Sequence, residues 1–589
     1  ATGDRRRSES EGGLWCNSEG RMRTAVLCAA LAALVLAGNG DRVSLLTQVA
    51  VAVGLLFVYL NYDLARGLYY YAHIPGPLPW PFFGNMVQLA TRDIDALYQE
   101  WADRYGGVFK CFLGSNVILV VTDVDMFRAI TLRQFKAFTN RPRANENMMK
   151  VVSQTLRDLQ QHGMLAAKDQ YWKGIRSTAH SIFHSVETMA TFAPLMGKTA
   201  DELAERLAVA ADSGKSVDVS AAFGDMTLDV VGSTVFGVRF NCVGGEAGSK
   251  GRQGVAAAKA IFKNTSIFGA SNPYILVAML LPTFTMPLVK WFADTYPTEG
   301  MKEAFWAQGY LSGLSDEMYQ LAQEEMRAEA AGKEGKEGFA APPASADGSS
   351  GREWGDEKVG NGFLKLFLKA HNRETGKMLT RAEVSAQSFT FLLAGYETTA
   401  SALSFCLYML AKHKDMQTRL VDEIDQLLGP GDGSRLPGAE ELKSYKYLDA
   451  VFKETLRMTG PAPLAVRMAS ENIDICGTQI YKDTAIHFPS NVFHHNEKHF
   501  PDPETFMPER FLEGHALYEK QNHRAYNPFG SGPRQCVAAK FAATEAKLAL
   551  ISLLRKFRFT LDESRPFKTR MTITLAPVHG VHVFVESRK

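Results

Sequence analysis

Apolar positions along the chain fall into two regimes. Near the N-terminus they run together without charge: TAVLCAALAALVLAG (Thr24 to Gly38) follows Arg21-Met22-Arg23, and VSLLTQVAVAVGLLFVYLNY (Val43 to Tyr62) comes soon after. The second run is about 20 residues long and ends in tyrosines, enough to cross a hydrocarbon core of roughly 30 Å as a helix. Residues 43–62 are therefore expected to form a membrane anchor, behind a leader of residues 1–42. The run at 24–38 is shorter and reads as a signal-like segment or half of a hairpin.

Farther on, apolar residues recur at helical spacing. The clearest cases are TRAEVSAQSFTFLLAGYETTASALSFCLYMLAKH (Thr380 to His413), KDMQTRLVDEIDQLLG (Lys414 to Gly429) and CVAAKFAATEAKLALISLLRKF (Cys536 to Phe557). Alternating stretches near 106–122, 472–488 and 571–587 predict strands. The expected fold class is mainly α with a small discontinuous β portion.

Three segments break this pattern. Repeated prolines in HIPGPLPWPFFGN (His73 to Asn85) forbid a helix, so residues 63–92 are expected to be a stiff hinge before a body spanning 93–589. AAGKEGKEGFAAPPASADGSSGREWGDEKVGNG is rich in Gly, Ala, Ser, Pro and charge, and residues 330–362 are expected to be a low-complexity surface insertion. NPYILVAMLLPTFTMPLVKWF (Asn272 to Phe292) is apolar but interrupted by Pro273, Pro282 and Pro287. It reads either as a core element or as a surface that dips into a membrane.

Composition narrows the function classes. With 65 Lys+Arg against 63 Asp+Glu, the formal net charge is +2, and no nucleic-acid partner is implied. A chain of 589 residues, 46% of them hydrophobic, can enclose a cofactor. The seven cysteines (16, 28, 111, 242, 406, 476 and 536) form no CxxC pair, which fits free thiols in a reducing compartment. Ala1 begins a polar, irregular stretch: Met22 as the biological start is one reading of it, a plastid transit peptide the other.

One cysteine stands apart. In PFGSGPRQCVAAKF (528–541), Gly530 and Gly532 allow a tight loop whose N–H groups point at the Cys536 sulfur, and the following helix brings its positive dipole end. Both favour a thiolate. Phe529 offers an aromatic wall, and Arg534 a cation suited to a carboxylate. No second ligand lies at zinc-finger spacing; from this stretch alone a metal ligand, a nucleophile and a buried filler all remain open.

Phe529, Gly530, Gly532, Arg534 and Cys536 nevertheless form the pattern F-G-x-G-x-R-x-C, which resembles the haem-binding loop of the cytochromes P-450. Ala538 stands where that family usually has glycine. Further motifs follow in family order. Glu454 and Arg457 in KETLR, with Arg510 in PERF, resemble a buried Glu-Arg-Arg scaffold. Ala394-Gly395-Tyr396-Glu397-Thr398-Thr399 resembles the kinked centre of the long helix over the cofactor. Trp172 and Arg176 in YWKGIR match W-x-x-x-R, and Arg467 in GPAPLAVRMAS takes the place of another propionate-binding arginine, although Gly460-Pro461 replaces the usual double proline. His494, His495 and His499 read as structural.

The resemblance covers the chain from about Ile74 onward, apart from the insertion. It looks most like the membrane-bound eukaryotic branch that includes drug-oxidising enzymes, thromboxane synthase and the carlactone oxidases. It implies haem b with Cys536 as the iron ligand, Glu397 and Thr398 as the proton-relaying pair, and Gly395 opening space over the cofactor. It also implies a lipophilic substrate, a lipid membrane, and an NADPH-cytochrome P-450 reductase as electron donor. The location implied is the endoplasmic reticulum membrane with a cytosolic body, the plastid envelope being the alternative. The expected activity is monooxygenation. A peroxide isomerase or dehydratase, and a non-catalytic haem sensor, are the alternatives, and retention of Glu397 and Thr398 weighs against both.

Overall fold

The computed structural model describes residues 42–142, 146–246, 248–264, 272–281, 283–330, 362–369, 376, 378–429 and 435–588. The run at 24–38, the leader up to 41 and nearly all of the insertion at 330–362 lie outside the described residues. Contacts divide the chain into two units, residues 1–91 with 108–119 and residues 92–107 with 120–589.

In the first unit, helix α1 (Arg42–Tyr70) contains a segment, Val49–Tyr70, long and apolar enough to cross a membrane. Val49, Val51, Val53, Phe57 and Val58 are exposed along it. The helix runs past the expected end at Tyr62, because DLARGLYY contains no proline to stop it. The expected hinge is thus helical up to Tyr70, and helical again at Met86–Thr91. Between these, two polar side chains tie the proline segment down. Lys110, on strand β1 (Val108–Leu113), donates to the carbonyls of Tyr71 and Ile74 at 2.5 and 2.7 Å. Asn85 bridges the Leu78 carbonyl and the Phe112 N–H.

The second unit carries the helical body: α2 (Ile94–Tyr105), α3 (Asp169–Phe183), α4 (Val186–Ala208), α5 (Val219–Val231), α6 (Lys250–Asn264), α7 (Glu299–Ala330), α8 (Arg381–Lys412), α9 (Lys414–Leu428), α10 (Lys446–Thr459) and α11 (Ala539–Lys556). Helix α8 starts at a capping box, in which the Thr380 hydroxyl accepts from the Glu383 N–H and the Glu383 carboxylate accepts from the Thr380 N–H. It is buried over most of its length, as expected of a helix apolar on every side. Around it pack α5, α7, α10 and α11, and α11 also packs on α4.

Short antiparallel strands fill the gaps. Strand β2 (Leu464–Met468) pairs with β3 (Ala485–Pro489), placing Arg467 opposite Ile486. Strand β4 (Phe557–Leu561) pairs with β7 (His582–Ser587), whose other edge takes Val217–Asp218. Strands β5 (Thr569–Met571) and β6 (Leu575–Pro577) form a hairpin. The stretch at 272–292 is helical at Pro273–Leu280 and from Met286 to Thr295. Pro273 and Pro287 sit in first turns, where a missing N–H costs nothing, so they start helices rather than break them. Ala278, Met286 and Val289 join Val151 in a small separate core. The other side leaves Leu281, Phe284 (68% exposed), Leu288, Trp291, Phe292 and Tyr296 bare.

Candidate functional site

The loop before α11 is shaped by its glycines. Gly530 and Gly532 adopt left-handed φ values of 77° and 72°, and a Cβ on Gly532 would lie 2.0 Å from the Thr131 carbonyl oxygen. The loop folds back so that the Cys536 N–H donates to the Phe529 carbonyl at 2.8 Å and the Gln535 N–H to that of Gly532. Phe529 packs on the main core, as does Ala538. Cys536 lies deep in the body, yet its side chain has an open surface, the mark of a group facing an interior space. Burial pushes its thiol up, while the Ala538 N–H, Arg176 and Arg141 draw it down. Burial is the largest of these influences, and a cation bound at the sulfur would favour the thiolate.

Four arginines cluster at the cysteine loop, and two of them, Arg141 and Arg176, bear on the sulfur itself. Arg141, Arg176, Arg467 and Arg534 are each pushed below the ordinary guanidinium value, first by burial. Arg141 and Arg534 also feel Arg176, and Arg467 and Arg534 feel Arg141. Among the described residues, the carboxylate that bears on them is Asp169, on Arg534. Arg467 is 2% exposed, and its Nε is buried without a partner; its other donors reach the Val466 carbonyl at 2.8 Å and that of Ser531 at 3.4 Å. Packing like charges together out of water is unfavourable unless an anion joins them. This constellation fits a dianionic, flat cofactor such as haem, whose two carboxylates would supply the missing countercharge beside a cysteine ligand.

Arg534 itself departs from expectation. Its guanidinium donates to the carbonyls of Thr139 (2.9 Å), Met164 (3.2 Å) and Ala167 (2.6 Å) and stacks 4.0 Å over the Trp172 ring. It is chiefly a brace for the loop, with Trp172 as its platform and Phe135 beside that ring. Arg141 was not legible as a site residue, since no spacing marks it. Gln387 of α8 joins the two walls of the site: it accepts from the Met164 N–H at 2.9 Å and donates to the His162 carbonyl at 2.6 Å, fixing the segment that holds Arg534.

The α8 helix runs unbroken from Arg381 to Lys412, through the segment where a kink is expected. The Thr398 hydroxyl donates back to the Ala394 carbonyl at 2.6 Å. A Cβ on Gly395 would lie 2.6 Å from Val231, so this glycine lets α5 approach closely. Its neighbour Ala394 is exposed, while Leu393, Gly395, Glu397 and Thr398 are half-buried. Glu397 and Thr398 have separate partners, the Glu397 carboxylate accepting from the Thr574 hydroxyl at 2.8 Å. Burial raises Glu397 to about 7, against the opposing pull of Thr574.

Beneath the loop lies the expected scaffold. Glu454 receives Nε and Nη2 of Arg457 at 2.8 and 2.9 Å, Nε of Arg510 at 3.3 Å and the Met507 N–H at 2.9 Å. All three side chains are fully buried. Arg457 also donates to the His494 carbonyl at 2.8 Å, and the His494 ring accepts from the Asn527 N–H at 3.0 Å. Asn527 in turn accepts from the Gly530 N–H through its carbonyl. An unbroken chain of contacts thus runs from the charged cluster to the cysteine loop. His494, pushed down to about 3 by burial, is a neutral pillar in it.

Comparison with known proteins agrees with this geometry. The family model for cytochrome P450 matches residues 74–583. Human cytochrome P450 3A7 is 30% identical over 553 residues, covering 92% of this chain and 97% of that protein. Cytochrome P450 3A17 of Cavia porcellus and 3A6 of Oryctolagus cuniculus are each 29% identical over 92% of this chain, covering 97% and 98% of those proteins. A cysteine deep in the body, with Arg141 and Arg176 bearing on it and two more buried arginines beside its loop, suits a haem-thiolate site, and the chain belongs to the cytochrome P450 family.

Proposed function

We propose that this haem-thiolate monooxygenase acts on a lipophilic small molecule with electrons that originate from NADPH and arrive through a flavoprotein reductase. The observation that carries the reading is the buried arginine cluster at the Cys536 loop, together with a titratable carboxyl and a hydroxyl on consecutive residues of α8. When bound, haem b supplies the centre at which dioxygen is activated. Cys536 would hold it from the α11 side, with Phe529 as a neighbouring wall. Arg141, Arg176 and Arg467 would take its carboxylates, while Arg534 and Trp172 brace the loop. Glu397, near the midpoint of its titration at neutral pH, would take up and release protons. The Thr398 hydroxyl would pass one on while keeping the Ala394 carbonyl as its resting partner. Glu454, Arg457 and Arg510 are scaffold.

Two apolar surfaces support a membrane location, which we assign to the endoplasmic reticulum with the body in the cytosol: helix α1, and the bare side of the 281–296 segment. Lipophilic compounds partition into the same bilayer, which makes it a natural source of substrate. The test is twofold. Reduced protein with carbon monoxide should give the red-shifted thiolate Soret band, lost in Cys536→Ala. Product formation should need NADPH, reductase and dioxygen together; full activity on a hydroperoxide without them would replace this reading with isomerisation or dehydration.

A further inference from the structure

The β5–β6 hairpin has a tight turn, Thr572-Ile573-Thr574, closed by the Thr572 N–H donating to the Thr574 carbonyl at 3.0 Å. Its two upper side chains have opposite surroundings. Ile573 is exposed, whereas Thr574 is buried with its hydroxyl on the Glu397 carboxylate at 2.8 Å. The turn is not free to drift, because the Leu575 N–H donates to the carbonyl of Pro461, just beyond α10. A residue far along the chain, in a segment without any family motif, therefore grips one of the two polar groups on which proton delivery depends.

We infer that Thr574 is a positioning residue for Glu397, its hydroxyl orienting the carboxyl and favouring the ionised form. The inference rests on the monooxygenase reading of this site. The surroundings leave Thr574 as the main polar partner. On α8 itself the nearest titratable group is Tyr396, whose ring is coupled to Glu397 and held neutral by burial. From α5, Asp225 bears on Tyr396, but Arg206 and Arg252 pair with it at 2.6 and 2.5 Å. In proton exchange, Glu397 gives up its carboxyl proton and is reprotonated from water. The Thr574 O–H bond stays intact throughout, so Thr574 is not itself a relay.

The test uses full-length haem-loaded protein and two readouts. The first is the infrared carboxyl band of Glu397 followed through a pH titration and assigned by its loss in Glu397→Gln. The second is the pH dependence of coupling between NADPH consumption and product. Thr574→Val keeps the shape and removes the donor; its Glu397 midpoint should rise by about one pH unit, the size of one hydrogen bond lost from the ionised form. The coupling profile should move the same way, and Thr574→Ser should restore both. Thr574→Ala repeats the test if valine packs poorly. Unmoved midpoint and profile would overturn the inference, as would an equal effect of Thr574→Val on coupling in the Glu397→Gln background. Failure of the monooxygenase reading would look different: wild-type turnover would dispense with NADPH and dioxygen while the infrared midpoint still answered to Thr574.

Discussion

At the scale of single residues, the site depends on where a side chain can and cannot be added. Gly530 and Gly532 share a left-handed backbone, but only Gly532 faces the Thr131 carbonyl at a distance no Cβ tolerates. Gly530→Ala should cost about 1 kcal/mol, the penalty for a left-handed alanine. Gly532→Ala adds a backbone clash and should exceed it by at least about 2 kcal/mol. Thermal melting and the haem-to-protein ratio would show the gap; equal losses would refute it. Thr398→Ala should leave haem binding intact but divert NADPH from product to peroxide or water, measured as a drop in coupling. The residues of the cysteine loop and of the Glu-Arg-Arg cluster were legible because each motif holds several chemically unusual residues at fixed spacing. Arg141 and Thr574 were not, because each is joined to its partners only by tertiary folding.

At the scale of elements, the sequence period located α8, α9 and α11 to within a few residues, since their apolar faces are long and, for α8, a capping box marks the start. It missed β2, β4 and β5, which are only three to five residues long; β4 alternates, but it begins on the last residue of the helical pattern read through Phe557. In α8, Gly395 serves helix-to-helix contact, the close approach of Val231 on α5, a role that its place in the sequence does not reveal. The charged cluster shows how elements are joined. Glu454→Gln should cost about 3–5 kcal/mol, because two buried guanidiniums then share no carboxylate, and chemical denaturation would measure it. His494 gives the same joint a pH dependence. Its folded value lies near 3, below the unfolded value of about 6.5. The unfolded chain therefore binds the proton more readily, and stability is present above pH 6.5 and lost as pH falls below it. The slope should be about 1.4 kcal/mol per pH unit from this group. His494→Gln should flatten that part of the pH profile.

For the whole molecule, two apolar surfaces imply that losing the N-terminal helix does not free the protein from lipid. A chain lacking residues 1–70 should still sediment with liposomes. Adding Phe284→Ser and Trp291→Ser should release it, since each bare aromatic ring contributes on the order of 2 kcal/mol when buried in an apolar phase. Retention by the double variant would move the contact elsewhere.

The arginines around Cys536 carry a last consequence, for the life of the protein rather than its chemistry. Four mutually repelling guanidiniums in an interior make a fold that is incomplete by itself, and an anionic cofactor that binds only the native state stabilises it by mass action. Chain made faster than cofactor arrives would stay partly open and be cleared by proteolysis. Cellular abundance of this protein should then follow porphyrin supply even when its messenger level is constant, and Arg467→Leu, which relieves the repulsion, should loosen that dependence.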